Sequence, residues 1–253
     1  MNQEPPPTTP GSASAPQVIR VSLPVSAPYV TYAIIGVTVF VYVLQLASQA
    51  YFQFDLPAAL LLRSNELIRS GQLWRLVSSA LVHGSLVHIG FNMYALFSFG
   101  AALERTFGHG RFLLLYVVGA FTGNVVSLLF STVNSLGAST AIFALLGAEA
   151  VFLFQNRRLF GDRVKSEIGN LVFIAAFNIF IIGSMPGIGN WGHIGGLLGG
   201  LMLSWLICPL WDVEPGRDGN YHFVDRRPRQ EVIAGAVAVV LFFGGAAVWG
   251  ILK

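Results

Sequence analysis

Four polar side chains stand out in an otherwise apolar chain: His88, Asn92, Ser139 and His193. His88 and Asn92 are four residues apart, so a helix carries both on one face, about 6 Å apart along its axis, where a single site can use both. Ser139 ends the run Leu136-Gly137-Ala138-Ser139 and is followed by Thr140. Small residues before a serine let a backbone or substrate approach, and a loop-to-helix change there aims free N–H groups at an incoming oxygen. His193 lies in Gly192-His193-Ile194-Gly195-Gly196-Leu197-Leu198-Gly199-Gly200, where Gly196 and Gly200 offer a flat face for tight packing against another helix. A serine hydroxyl beside a neutral imidazole supports nucleophilic acyl transfer, the ring taking the serine proton and later giving it to the leaving amine. No acid lies near Ser139 or His193 in sequence; only Glu104 and Glu149 fall in or at the end of an apolar segment. Glu149 is about 15 Å further along a helix from Ser139, too far to orient His193. The expectation is a serine–histidine dyad rather than a triad.

Each residue also has an ordinary structural reading. A serine after Gly-Ala at a helix start is commonly a cap, and an interior histidine or a His/Asn pair can be hydrogen-bonding glue between helices. His83 is read as a neighbour of the site or a solvated interfacial residue, and His109 and His222 as loop residues. Joint placement favours chemistry: all four polar residues fall early in apolar segments that run in the same direction.

Those segments follow from composition. Of 253 residues, 54% are hydrophobic and 11% charged, against roughly 25% charged in an average soluble domain. A water-soluble globule is excluded, and so is wholesale disorder, whose signature is low hydrophobicity. Seven apolar segments are read as spans: Val30–Ala47, Leu86–Leu103, Phe112–Phe130, Ser139–Phe154, Leu171–Gly183, His193–Ile207 and Val232–Leu252. The second, fourth and sixth are parallel, so His88, Asn92, Ser139 and His193 share one leaflet. With the amino terminus inside, eleven Lys and Arg lie in the cytoplasm and four outside, which favours that orientation and puts the carboxyl terminus outside. Residues 1–28 hold seven of the twelve prolines and read as a flexible cytoplasmic tail without signal-peptide character. Residues 29–208 form a six-helix membrane domain, 209–231 a cytoplasmic linker and 232–253 an additional span. The fold class is an all-α polytopic membrane protein. Cys208 is the only cysteine, no His/Cys cluster has metal-ligand spacing, and no basic tract is long enough for a nucleic acid, so no metal, cofactor or nucleic-acid partner is expected.

With these residues in place, the chain from about Val30 to Leu206 resembles the rhomboid intramembrane serine proteases. The family pattern carries a Trp-Arg pair in the first external loop (Trp74-Arg75), a His-x-x-x-Asn element (His88, Asn92), a Gly-x-Ser-x motif (Gly137 to Thr140) and a His-x-x-Gly-x-x-x-Gly motif (His193, Gly196, Gly200). The resemblance implies a six-helix core with a water-accessible cavity, here followed by a seventh span. It implies hydrolysis of peptide bonds in or beside transmembrane segments of membrane-protein substrates. Ser139 would be the nucleophile and His193 the general base. His88, Asn92 and the Ser139 N–H would be oxyanion donors, Glu104 a structural acid and Phe143 an aromatic face near His193. Two positions depart from the pattern: Thr140 stands where the family commonly has Gly, and Gly192 where it often has Ala. The β-branched Thr140 is expected to narrow the cavity or restrict the local backbone.

The leading expectation is therefore an intramembrane serine endopeptidase in a bacterial inner membrane. Its alternative is a rhomboid-like pseudoprotease that binds transmembrane clients without cutting them. A transporter would need paired broken helices and ionisable residues near the midplane, and Glu149 alone is thin support for that. Substrate identity and oligomeric state are not readable.

Overall fold

A computed structural model describes residues 27–181, 183, 189–217 and 220–253. The expected tail therefore lies outside the described residues up to position 26. The elements are α1 (Tyr29–Phe52), α2 (Leu56–Leu61), α3 (Asn65–Arg69), α4 (Arg75–Ser78), α5 (Leu86–Ala95), α6 (Ala101–Phe107), α7 (His109–Phe130), α8 (Ser139–Gln155), α9 (Arg157–Phe160), α10 (Arg163–Phe180), α11 (Asn190–Ile207), β1 (Trp211–Pro215), β2 (Tyr221–Asp225) and α12 (Arg229–Leu252). A π-helical turn, Leu96–Gly100, joins α5 to α6 without a break, so the pair forms one span of 22 residues.

Among the described residues, four helices are long and apolar enough to cross a membrane: Tyr29–Phe52, Leu86–Phe107, His109–Phe130 and Arg229–Leu252. The other three expected spans are helices of a different character. The α8 helix is apolar but has only 17 residues, α10 begins with Arg163, Lys165 and Glu167, and α11 carries Asn190, His193 and five glycines. The α8 and α11 helices are sheltered by their neighbours and need not be as long or as uniformly apolar as a helix that faces lipid, whereas α10 buries only Val164, Leu171 and Ala175. The fifth expected span starts at Arg163 rather than Leu171, because the first turns of α10 are charged but helical.

The core is the trio α7, α8 and α11, brought together by glycine. A Cβ at Gly195 of α11 would lie 2.5 Å from Val126 Cβ of α7, and one at Gly199 would strike Thr122. On the adjoining face, a Cβ at Gly196 or Gly200 would fall onto the carbonyl oxygens of Thr140 and Ala144 in α8. At 3.6 residues per turn, neighbouring residues point about 100° apart, so two adjacent glycine pairs serve two adjacent partners. Such near-backbone contact gains dispersion energy that no larger residue would permit.

At one end of the bundle, Glu104 of α6 is completely buried. It accepts hydrogen bonds from the Val30 N–H (2.8 Å), the Thr31 N–H (2.7 Å) and Thr31 Oγ1 (2.6 Å), and it pairs with His109 Nδ1 at 2.6 Å. A carboxylate thus satisfies the free donors at the start of α1 and complements its positive pole. His109 is not a loop residue but the first residue of α7.

The expected linker holds an antiparallel hairpin, β1–β2. Asp225 of the hairpin pairs with Arg111 of α7 and accepts from the Leu210 N–H, while Asn156 after α8 accepts from the Trp211 N–H at 2.9 Å. Trp211, Asp212, Val213 and Glu214 alternate apolar with acidic, a strand pattern too short to stand out in the sequence. At the opposite end of α12, Arg69 Nε donates to the Gly250 carbonyl at 3.2 Å, so the last helix finishes beside α3.

Candidate active site

Ser139 is the first residue of α8, and the turn before it is tightly specified. Gly137 has φ +119°, a conformation that favours glycine, and its N–H donates to the Ser79 carbonyl at 2.9 Å. A Cβ at Gly137 would lie 2.7 Å from Cε1 and 2.8 Å from Nε2 of His88, and 3.6 Å from Asn92 Nδ2. Glycine is therefore required by its backbone angle and by the two side chains packed against it.

Ser139 Oγ and His193 Nε2 are 2.8 Å apart. The His193 ring is stacked on Phe143, one turn beyond Ser139, with centroids 4.4 Å apart and planes inclined by 4°. His193 Nδ1 is buried and has no hydrogen-bond partner among the described residues, so no carboxylate orients the ring. Packing and stacking must do so instead.

His88 sits in the first turn of α5, where Ser85 caps the helix by accepting from the His88 N–H at 3.2 Å. Asn92, one turn later, is buried, and its Nδ2 donor is unpaired among the described residues. Both line a cavity of about 870 Å³ that also contains Ser139, Thr140, Phe143 and His193. Four of the expected groups thus converge, two around the serine–histidine contact and two on the side facing Gly137. An unpaired amide donor beside a serine hydroxyl is suited to a developing oxyanion.

Trp74, Arg75 and Glu104 do not line this cavity. Arg75 is buried and donates to the Leu62 carbonyl (2.7 Å), the Ala59 carbonyl (2.7 Å) and Gln72 Oε1 (2.8 Å). It braces the loop that carries α2, as does Trp74, whose indole N–H donates to the Leu60 carbonyl at 3.1 Å. Glu104 lies at the end of the second span, well beyond the π turn from His88. Gly196 and Gly200 act through the α8–α11 contact.

The structure adds supporting residues that the sequence did not single out, Gln45, Arg63 and Asn124, and resolves His83 as a neighbour of the site rather than a solvated residue. His83 is almost wholly buried, and its Nε2 accepts from the Ala138 N–H at 3.3 Å, directly before the serine. Burial, with a smaller contribution from His88, pushes its imidazole down to about 4, which keeps the ring neutral and able to accept. Gln45 of α1 clamps the His83 backbone from both sides: its Oε1 accepts from the His83 N–H and its Nε2 donates to the His83 carbonyl. Arg63 is completely buried and no carboxylate faces it among its hydrogen-bond partners, which are Ser135 Oγ, Asn65 Oδ1 and the Val133 carbonyl. Its backbone pairs with Ser135 in both directions, joining the first loop to the loop that leads into Ser139. Asn124 of α7 donates through Nδ2 to the Leu76 carbonyl and to Ser79 Oγ, both at 2.9 Å, and it and Gln45, amides within apolar spans, did carry a signal in the sequence. Arg63 carried none, since a loop arginine is ordinarily solvated.

A family model described as the Rhomboid domain matches residues 70–210. Among similar proteins is the rhomboid protease GluP of Bacillus subtilis (strain 168), 36% identical over 177 residues, which are 70% of this chain and 34% of that protein. RHOMBOID-like protein 4 of Arabidopsis thaliana is 37% identical over 143 residues, 56% of this chain and 36% of its own length. RHOMBOID-like protein 2 of the same plant is 32% identical over 186 residues, 72% of this chain and 58% of its own. The chain thus spans about a third of the length of the first two.

Proposed function

The chain belongs to the rhomboid family, and from that premise we propose that it is an intramembrane serine endopeptidase that cuts membrane proteins in or near their transmembrane segments. The observation that carries the reading is the 2.8 Å contact between Ser139 Oγ and His193 Nε2, at the edge of a cavity that also holds an unpaired amide donor. Ser139 is the nucleophile. His193, with its proton on Nδ1, accepts the serine proton at Nε2 as the hydroxyl attacks the scissile carbonyl, then delivers it to the departing amine. Asn92, His88 and the Ser139 N–H donate to the tetrahedral oxyanion. Water repeats the sequence on the acyl-enzyme. The substrate must expose a carbonyl, so segments with small or helix-destabilising residues are favoured over a fully hydrogen-bonded helix.

The distribution of Lys and Arg supports a cytoplasmic amino terminus, an outward-facing site and an outward carboxyl terminus. The close of α12 beside α3 agrees with that arrangement. We assign residues 29–208 to the rhomboid core and α12 to a seventh span.

The test is fluorophosphonate labelling of the protein in detergent or bilayer, with cleavage of a helix-destabilised model span. Wild type is expected to react at Ser139 and to cut, and Ser139→Ala to do neither. Asn92→Ala is expected to slow cleavage on the order of a hundredfold without loss of folding, the usual cost of one oxyanion donor. Folded wild type that neither labels nor cuts would reject the protease in favour of a pseudoprotease, the reading that Thr140 at the cavity wall would then support.

A further inference from the structure

Thr140 follows the serine and is buried, with 8% of its surface exposed. It sits in a hollow made by glycines on two other helices. A Cβ at Gly123 of α7 would lie 2.8 Å from Thr140 Cβ and 3.0 Å from its Cγ2, and a Cβ at Gly192 of α11 would lie 2.9 Å from that same methyl. The walls of the hollow also touch each other, since a Cβ at Gly123 would lie 2.6 Å from the Gly192 carbonyl oxygen. Three backbones therefore converge on one methyl group. Thr140 adjoins Ser139 in sequence, and Gly192 across the gap adjoins His193.

Two facts make that methyl consequential. The Thr140 hydroxyl is buried without a partner among the described residues, so what this side chain contributes to its surroundings is volume. The His193 ring has no partner at Nδ1 among the described residues, so none of them would re-aim it by a hydrogen bond there if α11 shifted against α8. A threonine in a helix is stiff at χ1, and its methyl is a spacer of fixed direction. Removing it would leave a void that packed helices close by small movements, and at a reacting pair such movements are costly.

We propose that Thr140 is a positioning residue: its methyl, seated between Gly123 and Gly192, sets the spacing of α8 and α11 at the level of the dyad, and residues 140 and 192 form a volume-matched pair. This rests on the Ser139–His193 reading. Its corollary is that glycine at 140 requires alanine at 192, and that Thr140 with Gly192 is one of two equivalent ways to fill the same space.

The test compares wild type, Thr140→Gly, Thr140→Ser, Thr140→Val, Gly192→Ala and the Thr140→Gly/Gly192→Ala double variant. Fluorophosphonate labelling is resolved into its maximal rate and half-saturating concentration, and unfolding in detergent is followed in parallel. Thr140→Gly and Thr140→Ser should lower the maximal rate by on the order of tenfold or more, with the half-saturating concentration little changed. Thr140→Val, which keeps the methyl and lacks the hydroxyl, should label faster than Thr140→Ser. Gly192→Ala should label slowly alone, and the double variant should recover most of the rate lost by Thr140→Gly. The proposal is overturned if Thr140→Ser outpaces Thr140→Val, or if Gly192→Ala slows labelling equally in both backgrounds. Folded wild type that does not label rejects the dyad instead. In that event the unfolding temperatures still decide the pair: non-additive shifts uphold the volume match, and additive shifts overturn it.

Discussion

The two partners of the dyad are held by opposite means. The turn before Ser139 is fixed by hydrogen bonds from distant parts of the chain: Ser79 to Gly137, His83 to Ala138 and Arg63 to Ser135. Among the described residues, His193 Nδ1 has no such support. Its helix is fixed by glycines at 195, 196, 199 and 200 lying against α7 and α8, and its ring by the face of Phe143. A polar scaffold fails when a partner is removed and a buried group is left unsatisfied. A close-packed scaffold fails when volume is added, because neither backbone has room to yield. The serine side should therefore be sensitive to deletions and the histidine side to insertions.

The largest effect should come from adding volume. Gly200→Val places side-chain carbons on the Ala144 carbonyl and should cost about 3 kcal/mol or more, enough to leave little folded protein in a thermal or denaturant assay. Preserved unfolding temperature and labelling would show that the α8–α11 contact is looser than the backbone approach implies. Next comes a deletion on the serine side. Arg63→Leu strands the Val133 carbonyl and Asn65 Oδ1 and should cost about 2 kcal/mol. Arg63→Lys should not rescue it, since one ammonium cannot replace a planar fork that reaches three acceptors. Equal stability of the Lys variant and wild type would mean that charge, not geometry, holds the loop. Burial pulls the Arg63 guanidinium down to about 10, still charged at neutral pH, so both variants can be compared there.

The same contrast explains what the sequence disclosed. The histidine side was legible because close packing leaves a periodic record: glycines four apart on one face, with the histidine at fixed spacing from them. Ser139, His88 and Asn92 were legible because polar groups are scarce in apolar helices. The polar scaffold was mostly hidden, since its bonds join residues up to 72 positions apart, as from Arg63 to Ser135, and pairing at that range leaves no local pattern. His83 shows the limit well. Directly after Ala80-Leu81-Val82 and next to Gly84, it reads equally as a neighbour of the site or as a solvated histidine, and only the fold reveals that the Ala138 N–H points at its ring. The hairpin was missed for a related reason: its strands are five residues each, too short for the alternation from Trp211 to Glu214 to stand out.

His83 also supplies the smallest change at neutral pH and a test by titration. Burial, and to a smaller extent the neighbouring His88, holds the His83 ring neutral in the folded protein, pushing its imidazole from an ordinary value near 6.5 down to about 4 and leaving Nε2 free to accept from the Ala138 N–H. The unfolded chain therefore binds more protons than the folded one between those values, and stability must fall as pH falls. The contribution is complete above about pH 6.5, is lost progressively toward pH 4, and changes little below that. For a group this deeply buried the loss across the window is roughly 3 kcal/mol. His83→Gln keeps an acceptor for Ala138 but does not titrate, so it should cost only about 1 kcal/mol at pH 7 while flattening the dependence of unfolding free energy on pH between 6.5 and 4. His88, whose ring lies 5.1 Å from His83, remains in both proteins, so its own titration largely drops out of the difference. Should the variant keep the wild-type slope, the acid sensitivity of the serine side would belong to His88 or His193, and His83 would be a packing residue rather than a hydrogen-bond acceptor for the nucleophile turn.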